Sequence, residues 1–416
     1  MGNTLAEKIL AKKAARETVR PGEIVEVDVD VASQNELTTE LVFREFKRFN
    51  RPVWDPDKIT MSVCHFPSSS VAQATNVKNM REFSKEQGIK GFFPQGGPLS
   101  EVLAENGYVV PGILIVGTDS HTVTDGAFGA FATAIGSTEM LGVFLTGRIW
   151  LKVPPTIKFV VDGELPTGVM AKDLVLKMIS IIGSSGANYK AVEFAGETVR
   201  NMEMDGREVL ASMSAEMGAK VGLIGVDEKT VDYLKKVTDS PFDRLQADDD
   251  ADYEKVIPID AAQLEPMLAC PHNPGNVKPL KEVEPVKINQ AFIGTCTGGR
   301  MEDMRAAARV LEGKRVHPDV SLIIIPGTPQ IYRQALDEGV IHIFTKAGAI
   351  VEYGNCGPCL GNHQGLLAAG EVCISAANRN FPGRMGSSEA KVYLASPGTV
   401  AASAVEGVIT DPRKYY

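Results

Sequence analysis

Two cysteines at C-x-x-C spacing in Asn355-Cys356-Gly357-Pro358-Cys359-Leu360-Gly361, with a third in Gly294-Thr295-Cys296-Thr297-Gly298-Gly299-Arg300, constrain this chain more than any other feature. The pair presents both sulfurs from one short loop, and the third arrives from a separate glycine-rich loop upstream. A fold that uses all three brings those loops together. Three soft thiolates without a fourth suit an iron–sulfur cluster with one incompletely ligated iron. A closed zinc site wants four ligands. Cys-Gly-Pro-Cys is also the thioredoxin-type redox motif. That motif stands behind a Trp near the start of a small domain, whereas here Asn355 precedes it late in a chain of 416 residues. A cluster is therefore the expectation, and a reactive dithiol the alternative.

A chain of this length predicts two or three domains, each with an ample core. A hydrophobic content of 44% and a charged content of 23% are those of an ordinary globular protein. The net charge of -9 argues against nucleic acid or an anionic membrane surface as the main partner, though a local arginine pair still admits an anionic substrate. Six scattered cysteines do not make a secreted disulfide framework and point to a reducing compartment. No apolar run approaches the roughly 18 residues that span a membrane, and no apolar signal core opens the chain. A cytoplasmic protein is expected.

Strands alternate with helices along most of the length, which predicts an α/β fold with parallel sheets. Thr4 to Glu7 reads as a capping box opening a helix to about Ala15, and Glu23 to Val29 as a half-buried strand. Ser33 to Thr38 reads as a loop feeding a helix that ends near Phe49, and Ile59 to Val63 as a short strand. Ile113 to Gly117 is a buried strand with Thr118-Asp119-Ser120-His121-Thr122 at its carboxyl end, where ligands collect in open parallel sheets. A second unit begins at Pro154-Pro155, and a helix is expected over Val209 to Met217. Glu216 within it reads, by itself, as a surface or capping residue. Pro271 to Val286 reads as a linker. These divisions give domains 1–153, 154–285 and 286–416, the last carrying all three cysteines. Cys296 then follows the strand Gln290 to Ile293 and precedes the helix Met301 to Leu311, a setting that favours thiolate. Cys270 and Cys373 have no comparable setting and read as structural.

Downstream of the cysteines, Asn378-Arg379-Asn380-Phe381-Pro382-Gly383-Arg384 sets two arginines around a Pro-Gly turn. Guanidinium groups so placed can converge on a carboxylate and bind it bidentately. A charged surface loop is the bland reading. With three cysteines upstream, the pattern suggests a cluster that handles a small anionic acid.

These pieces, together with the stretch Val116 to His121, resemble the large subunit of the aconitase superfamily, in its two-subunit branch with isopropylmalate isomerase and homoaconitase. The resemblance runs from the N-terminal helix to Thr410-Asp411-Pro412. It implies three stacked aconitase-like α/β domains and one 4Fe–4S cluster on Cys296, Cys356 and Cys359, whose remaining iron acts as Lewis acid for loss or addition of water. It implies that His121 is an active-site histidine with Glu216 as its carboxylate partner and Asp119 beside it. His65 resembles the histidine that helps the hydroxyl leave. Asn378, Arg379 and Arg384 resemble substrate-carboxylate contacts, and Asn35 with Glu36 a polar pair at the cleft. A serine base is implied on a separate swivelling small subunit, about 160–200 residues long, the size of one domain.

Three positions depart from the family. Cys64 stands before His65 where an Asp is usual, Ser100 replaces a histidine, and Gly298 replaces an Asn. Without the aspartate, a charge that would hold His65 protonated and oriented is gone. The expectation is therefore a hydro-lyase acting on a 2-hydroxy dicarboxylic acid, specifically a substituted malate such as 2,3-dimethylmalate. The alternatives are the large subunit of 3-isopropylmalate isomerase or homoaconitase, and, in another class, an RNA-binding regulator on the same scaffold. The acidic charge and the lack of a basic stripe count against the regulator.

Overall fold

Leu114-Ile115-Val116-Gly117 carries no polar side chain and forms a strand buried along its whole length, as a strand covered on both faces requires. It lies inside a five-stranded, wholly parallel sheet in the computed structural model, which describes residues 2–416. The strands run across the sheet in the order Gly91–Phe93, Ile59–Ser62, Val31–Asn35, Leu114–Gly117, Phe131–Ala134. The predicted loop at Ser33 is thus corrected, because Val31–Asn35 is the central strand and every residue of it is buried. Its Ala-Ser-Gln-Asn core has weak β propensity, and its neighbours on both sides impose the extended conformation.

That sheet belongs to the first of two compact units, which runs to Val161 and resumes over Ala187–Ile259. The same unit holds a four-stranded sheet in the order Val221–Ile224, Ala191–Ala195, Thr156–Asp162, Lys255–Asp260. It also holds an antiparallel ribbon of Ile24–Asp28 with Arg148–Lys152, both alternating exposed and buried as predicted for the former. The N-terminal helix Leu5–Lys13 has the expected capping box between Thr4 and Glu7. The charged stretch after Val226 contains the helix Glu228–Val237 with Val231 and Leu234 buried. Its N-cap Asp227 takes a hydrogen bond at 2.7 Å from Arg207, a fully buried arginine.

The second unit comprises Asp162–Gly186 and Asp260–Tyr416. Its seven-stranded sheet runs Val277–Pro279, Met267–Ala269, Lys391–Leu394, Val372–Ser375, Gln290–Gly294, Ser321–Ile325, Ile350–Val351. The last five are parallel and the first two antiparallel. The stretch predicted as a linker therefore supplies an edge strand of this sheet. Its prolines fit there because an edge strand need not donate on its outer side. The five parallel strands repeat the topology of the first unit's sheet: the chain starts in the middle, adds two strands on one side, and returns to add two on the other.

Asp173, in the helix Ala171–Ile182, ties this unit together by accepting from the Met170 and Met267 amides, each at 2.9 Å. Burial pushes its carboxyl up to about 6, against the pull of those amides, Ser396 and Lys172. Because this lies above the unfolded value, the protonated form contributes stability that is complete below about pH 4 and lost as the pH rises through about 6. Asp173→Asn is expected to flatten that part of the thermal midpoint's pH profile between about pH 4 and about pH 7, read by calorimetry.

Candidate active site

The order of the first unit's sheet reverses between Val31–Asn35 and Leu114–Gly117. The connections leave these two strands toward opposite sides, so a crevice opens at their carboxyl ends. Asn35 and Asp119 meet there, with the Asn35 amide donating to Asp119 Oδ2 at 3.3 Å. The Thr38 hydroxyl donates to the Thr118 hydroxyl beside them at 2.8 Å. Asp119 caps the 3-10 segment Ser120–Phe128 and accepts from the His121 amide at 2.7 Å. His121 Nε2 lies 3.1 Å from Glu216 Oε1, and its Nδ1 lies 3.2 Å from the Ser120 hydroxyl.

Glu216 is buried, in a 3-10 turn that follows the helix Met204–Met213, which corrects its reading as a surface or capping residue. Its reach depends on how closely the Ser120–Phe128 segment packs on the second sheet. A Cβ at Gly126 would run into the carbonyl oxygen of Gly222, so only glycine allows this approach.

His65 lies just past the strand Ile59–Ser62, and Glu36 just past Val31–Asn35. The two strands pair in parallel with Asn35 opposite Ser62, so residues beyond their ends are neighbours. Glu36 Oε2 accepts the Cys64 amide at 2.8 Å, and Oε1 accepts the His65 amide at 3.0 Å. The same Oε1 is 2.7 Å from His65 Nδ1. The expected loss of a carboxylate partner for His65 is therefore corrected: Glu36 supplies one across the strand pair. Cys64 and Ser100 are both buried.

In the second unit the sheet order reverses between Gln290–Gly294 and Val372–Ser375, the same topological position. Cys296 follows the first of these strands and Asn378 the second, and the Asn378 amide donates to Cys296 Sγ at 3.2 Å. Asn378 Oδ1 is held by the hydroxyls of Thr297 and, at 3.3 Å, Thr295. Cys356 and Cys359 lie beyond the strand Ile350–Val351, Cys359 in the 3-10 turn Gly357–Leu360. The Arg384 guanidinium donates toward Cys359 Sγ at 3.8 Å. Arg379 and Arg384 are both half-buried, while Phe381 between them is exposed. Asn380 anchors this loop from behind through the Cys270 carbonyl at 2.9 Å.

Lys172 carried no signal in the sequence. It is buried under the cysteine loop and donates to the carbonyls of Ala377 at 2.8 Å and Ala376 at 3.2 Å, and to the Thr297 hydroxyl at 3.3 Å. It thus holds the two loops that carry Cys296 and Asn378 to one another.

The donor chemistry of this region fits an iron–sulfur cluster. Cys296, Cys356 and Cys359 form no disulfide, and the sulfurs of Cys296 and Cys359 each receive an N–H donor, the kind of contact that surrounds cluster sulfurs. Among the described residues, no three His, Cys, Asp or Glu side chains are arranged to hold a metal ion. A cluster takes each cysteine on a different iron, so its ligands stand further apart than those of one ion. The other two thiols in this unit behave differently. Burial pushes the thiols of Cys270 and Cys373 up, Cys373 the more strongly, which keeps both protonated.

Gly298 belongs to this packing. A Cβ there would stand 2.5 Å from Ala376 Cβ and 2.9 Å from the Ala376 carbonyl oxygen. The Asn usual in the family cannot be restored without moving the end of the strand Val372–Ser375. Gly298→Asn is expected to cost about 1–3 kcal/mol, the range for overpacking, in a denaturant titration.

A sequence profile described as the aconitase family (aconitate hydratase) matches residues 7–407. The chain belongs to the aconitase family. It is a hydro-lyase of the large-subunit type. The 3-isopropylmalate dehydratase large subunit 1 of Methanopyrus kandleri is 50% identical over 418 residues, covering 100% of both chains. That of Aquifex aeolicus is 48% identical over 420 residues, 99% of this chain and 97% of the relative. The methanogen homoaconitase large subunit of Methanocaldococcus jannaschii is 48% identical over 419 residues, 98% of this chain and 99% of the relative. Among the described residues, no helix is long and apolar enough to cross a membrane.

Proposed function

We propose that this chain is the cluster-bearing large subunit of a 3-isopropylmalate dehydratase. The observation that carries the proposal is the Asn378 amide on Cys296 Sγ at 3.2 Å, at a topological switch point, in a family member half identical to such subunits. The expectation of 2,3-dimethylmalate as substrate is weaker than this alternative, because the relatives reported above are named for isopropylmalate and homoaconitate chemistry. Homoaconitase is the second reading, favoured by the relative from Methanocaldococcus jannaschii.

In this proposal Cys296, Cys356 and Cys359 hold one 4Fe–4S cluster, which when bound supplies a Lewis acid for the hydroxyl. Arg379 and Arg384 take substrate carboxylates, with Asn378 turned instead to the cysteine sulfur. His65, when its ring carries a proton on both nitrogens, gives the one on Nε2 to the departing hydroxyl and is left neutral with Nε2 bare. His121, braced by Asp119 and Glu216, holds a proton at the same reaction, and Asn35 keeps Asp119 in place. Elimination removes a proton from carbon and a hydroxyl from its neighbour, so a base is also needed. We assign it to a separate small subunit, since each side chain above already has another part in the reaction. Three sheet-centred domains, close to 1–153, 154–285 and 286–416, and residence in the cytoplasm complete the proposal.

The test is an anaerobic turnover screen of the cluster-loaded chain with its small subunit on 3-isopropylmalate, 2,3-dimethylmalate and homoaconitate. The highest kcat/KM is expected on 3-isopropylmalate. A preference for either of the others by tenfold or more, about 1.4 kcal/mol in transition-state binding, would reassign the substrate.

A further inference from the structure

We propose that Glu36 is the positioning residue that fixes the His65 ring, with Nδ1–H on its carboxylate, so that Nε2 is the nitrogen that exchanges a proton with the reacting oxygen. The inference rests on the reading of His65 as an active-site acid. It adds which group orients that acid, in a chain where the usual neighbouring aspartate has become Cys64.

Glu36 is fully buried, and each of its oxygens already accepts a backbone amide, Oε2 from Cys64 and Oε1 from His65. With a backbone N–H on each oxygen, the carboxyl group serves as acceptor on both sides. His65 Nδ1, 2.7 Å from Oε1, must then be the donor, which fixes the tautomer. In the neutral ring this leaves the lone pair on Nε2. Nε2 is buried and has no hydrogen-bond partner among the described residues. A buried polar atom left so costs about 1–3 kcal/mol, a cost recovered when a substrate hydroxyl or water supplies the partner.

The same geometry explains how position 64 can lose its side-chain carboxylate. Glu36 grips residue 64 by its backbone amide, so any side chain there leaves the grip intact. Cys64 itself is buried, with its Sγ 4.0 Å from the Ser62 carbonyl oxygen. The carboxylate on the ring arrives across the parallel strand pair instead of from the adjacent residue.

Two measurements test this. The first is on the unaltered holoenzyme with 15N-histidine in this chain alone, where six histidines contribute and His65→Gln identifies the signal. The neutral ring is expected with its proton on Nδ1 and Nε2 bare; a proton on Nε2 instead would overturn the proposal. The second compares Glu36→Gln, Glu36→Asp and His65→Ala. A glutamine accepts on one side only, so it loses either the Cys64 amide or the two contacts to His65, and in both cases it removes the charge that steadies a protonated ring. Glu36→Gln is expected to lower kcat about a hundredfold or more with KM nearly unchanged and the cluster retained. Glu36→Asp keeps the carboxylate and recovers part of that loss. Wild-type kcat in Glu36→Gln alongside an inactive His65→Ala would overturn the role of Glu36. An active His65→Ala would instead overturn the reading of His65, so the two failures are distinguishable.

Discussion

Cys356→Ser is expected to abolish both the visible absorbance of the reconstituted cluster and all turnover. Serine offers a hard oxygen where the cluster needs a soft thiolate, and three ligands leave none in reserve. Cys296→Ser and Cys359→Ser are expected to do the same, since the Asn378 amide and the Arg384 guanidinium would then face an alcohol in place of a thiolate. Cys373→Ala is the control. Cys373 lies in the strand Val372–Ser375, fully buried, and burial keeps its thiol protonated. Its loss removes one buried atom from a packed strand and should leave absorbance and turnover nearly intact. The comparison is made by anaerobic reconstitution followed by spectra and assay. A cluster retained in Cys356→Ser would refute the ligand set.

The second large effect is expected without any mutation. Purified and reconstituted alone, this chain should bind substrate weakly and turn over at least about a thousandfold more slowly than with its small subunit, within the usual range for loss of a general base. The reason is chemical. In the proposed reaction His65 serves the departing hydroxyl with its Nδ1 on Glu36, His121 is engaged with Glu216, and Asp119 accepts from His121 and Asn35. Titrating the small subunit into the reconstituted chain, with initial rates as readout, checks this. Full activity before any is added would require the base to be sought within this chain.

Much of the second constellation was legible because its chemistry is local. A C-x-x-C loop, a cysteine after a strand and two arginines about a Pro-Gly turn each declare themselves over a few residues. What brings them together was not legible, because strand order is set by long-range packing. The central strand Val31–Asn35 was hidden by its polar composition. With it went the pairing of Glu36 with His65, which follows directly from Asn35 lying opposite Ser62 in register. Glu216 looked like an ordinary surface acid until Gly126 and Gly222 set the approach of its helix to the His121 segment. Lys172 could not be found at all, since its acceptors are two main-chain carbonyls and a hydroxyl more than a hundred residues away. The prolines between Pro271 and Pro285 signalled a linker by composition, and an edge strand obeys the same composition.

On the proposed function, Cys296, Cys356 and Cys359 hold a cluster whose remaining iron would meet a 2-hydroxy acid. Mössbauer spectroscopy of the chain reconstituted with 57Fe tests it most directly, with and without 3-isopropylmalate in the presence of the small subunit. Substrate is expected to shift the signal of one iron of the four and leave the others in place, and Arg384→Ala to weaken the substrate concentration dependence of that shift. A spectrum with no cluster, or with four irons that do not respond to any of the candidate acids, would contradict it.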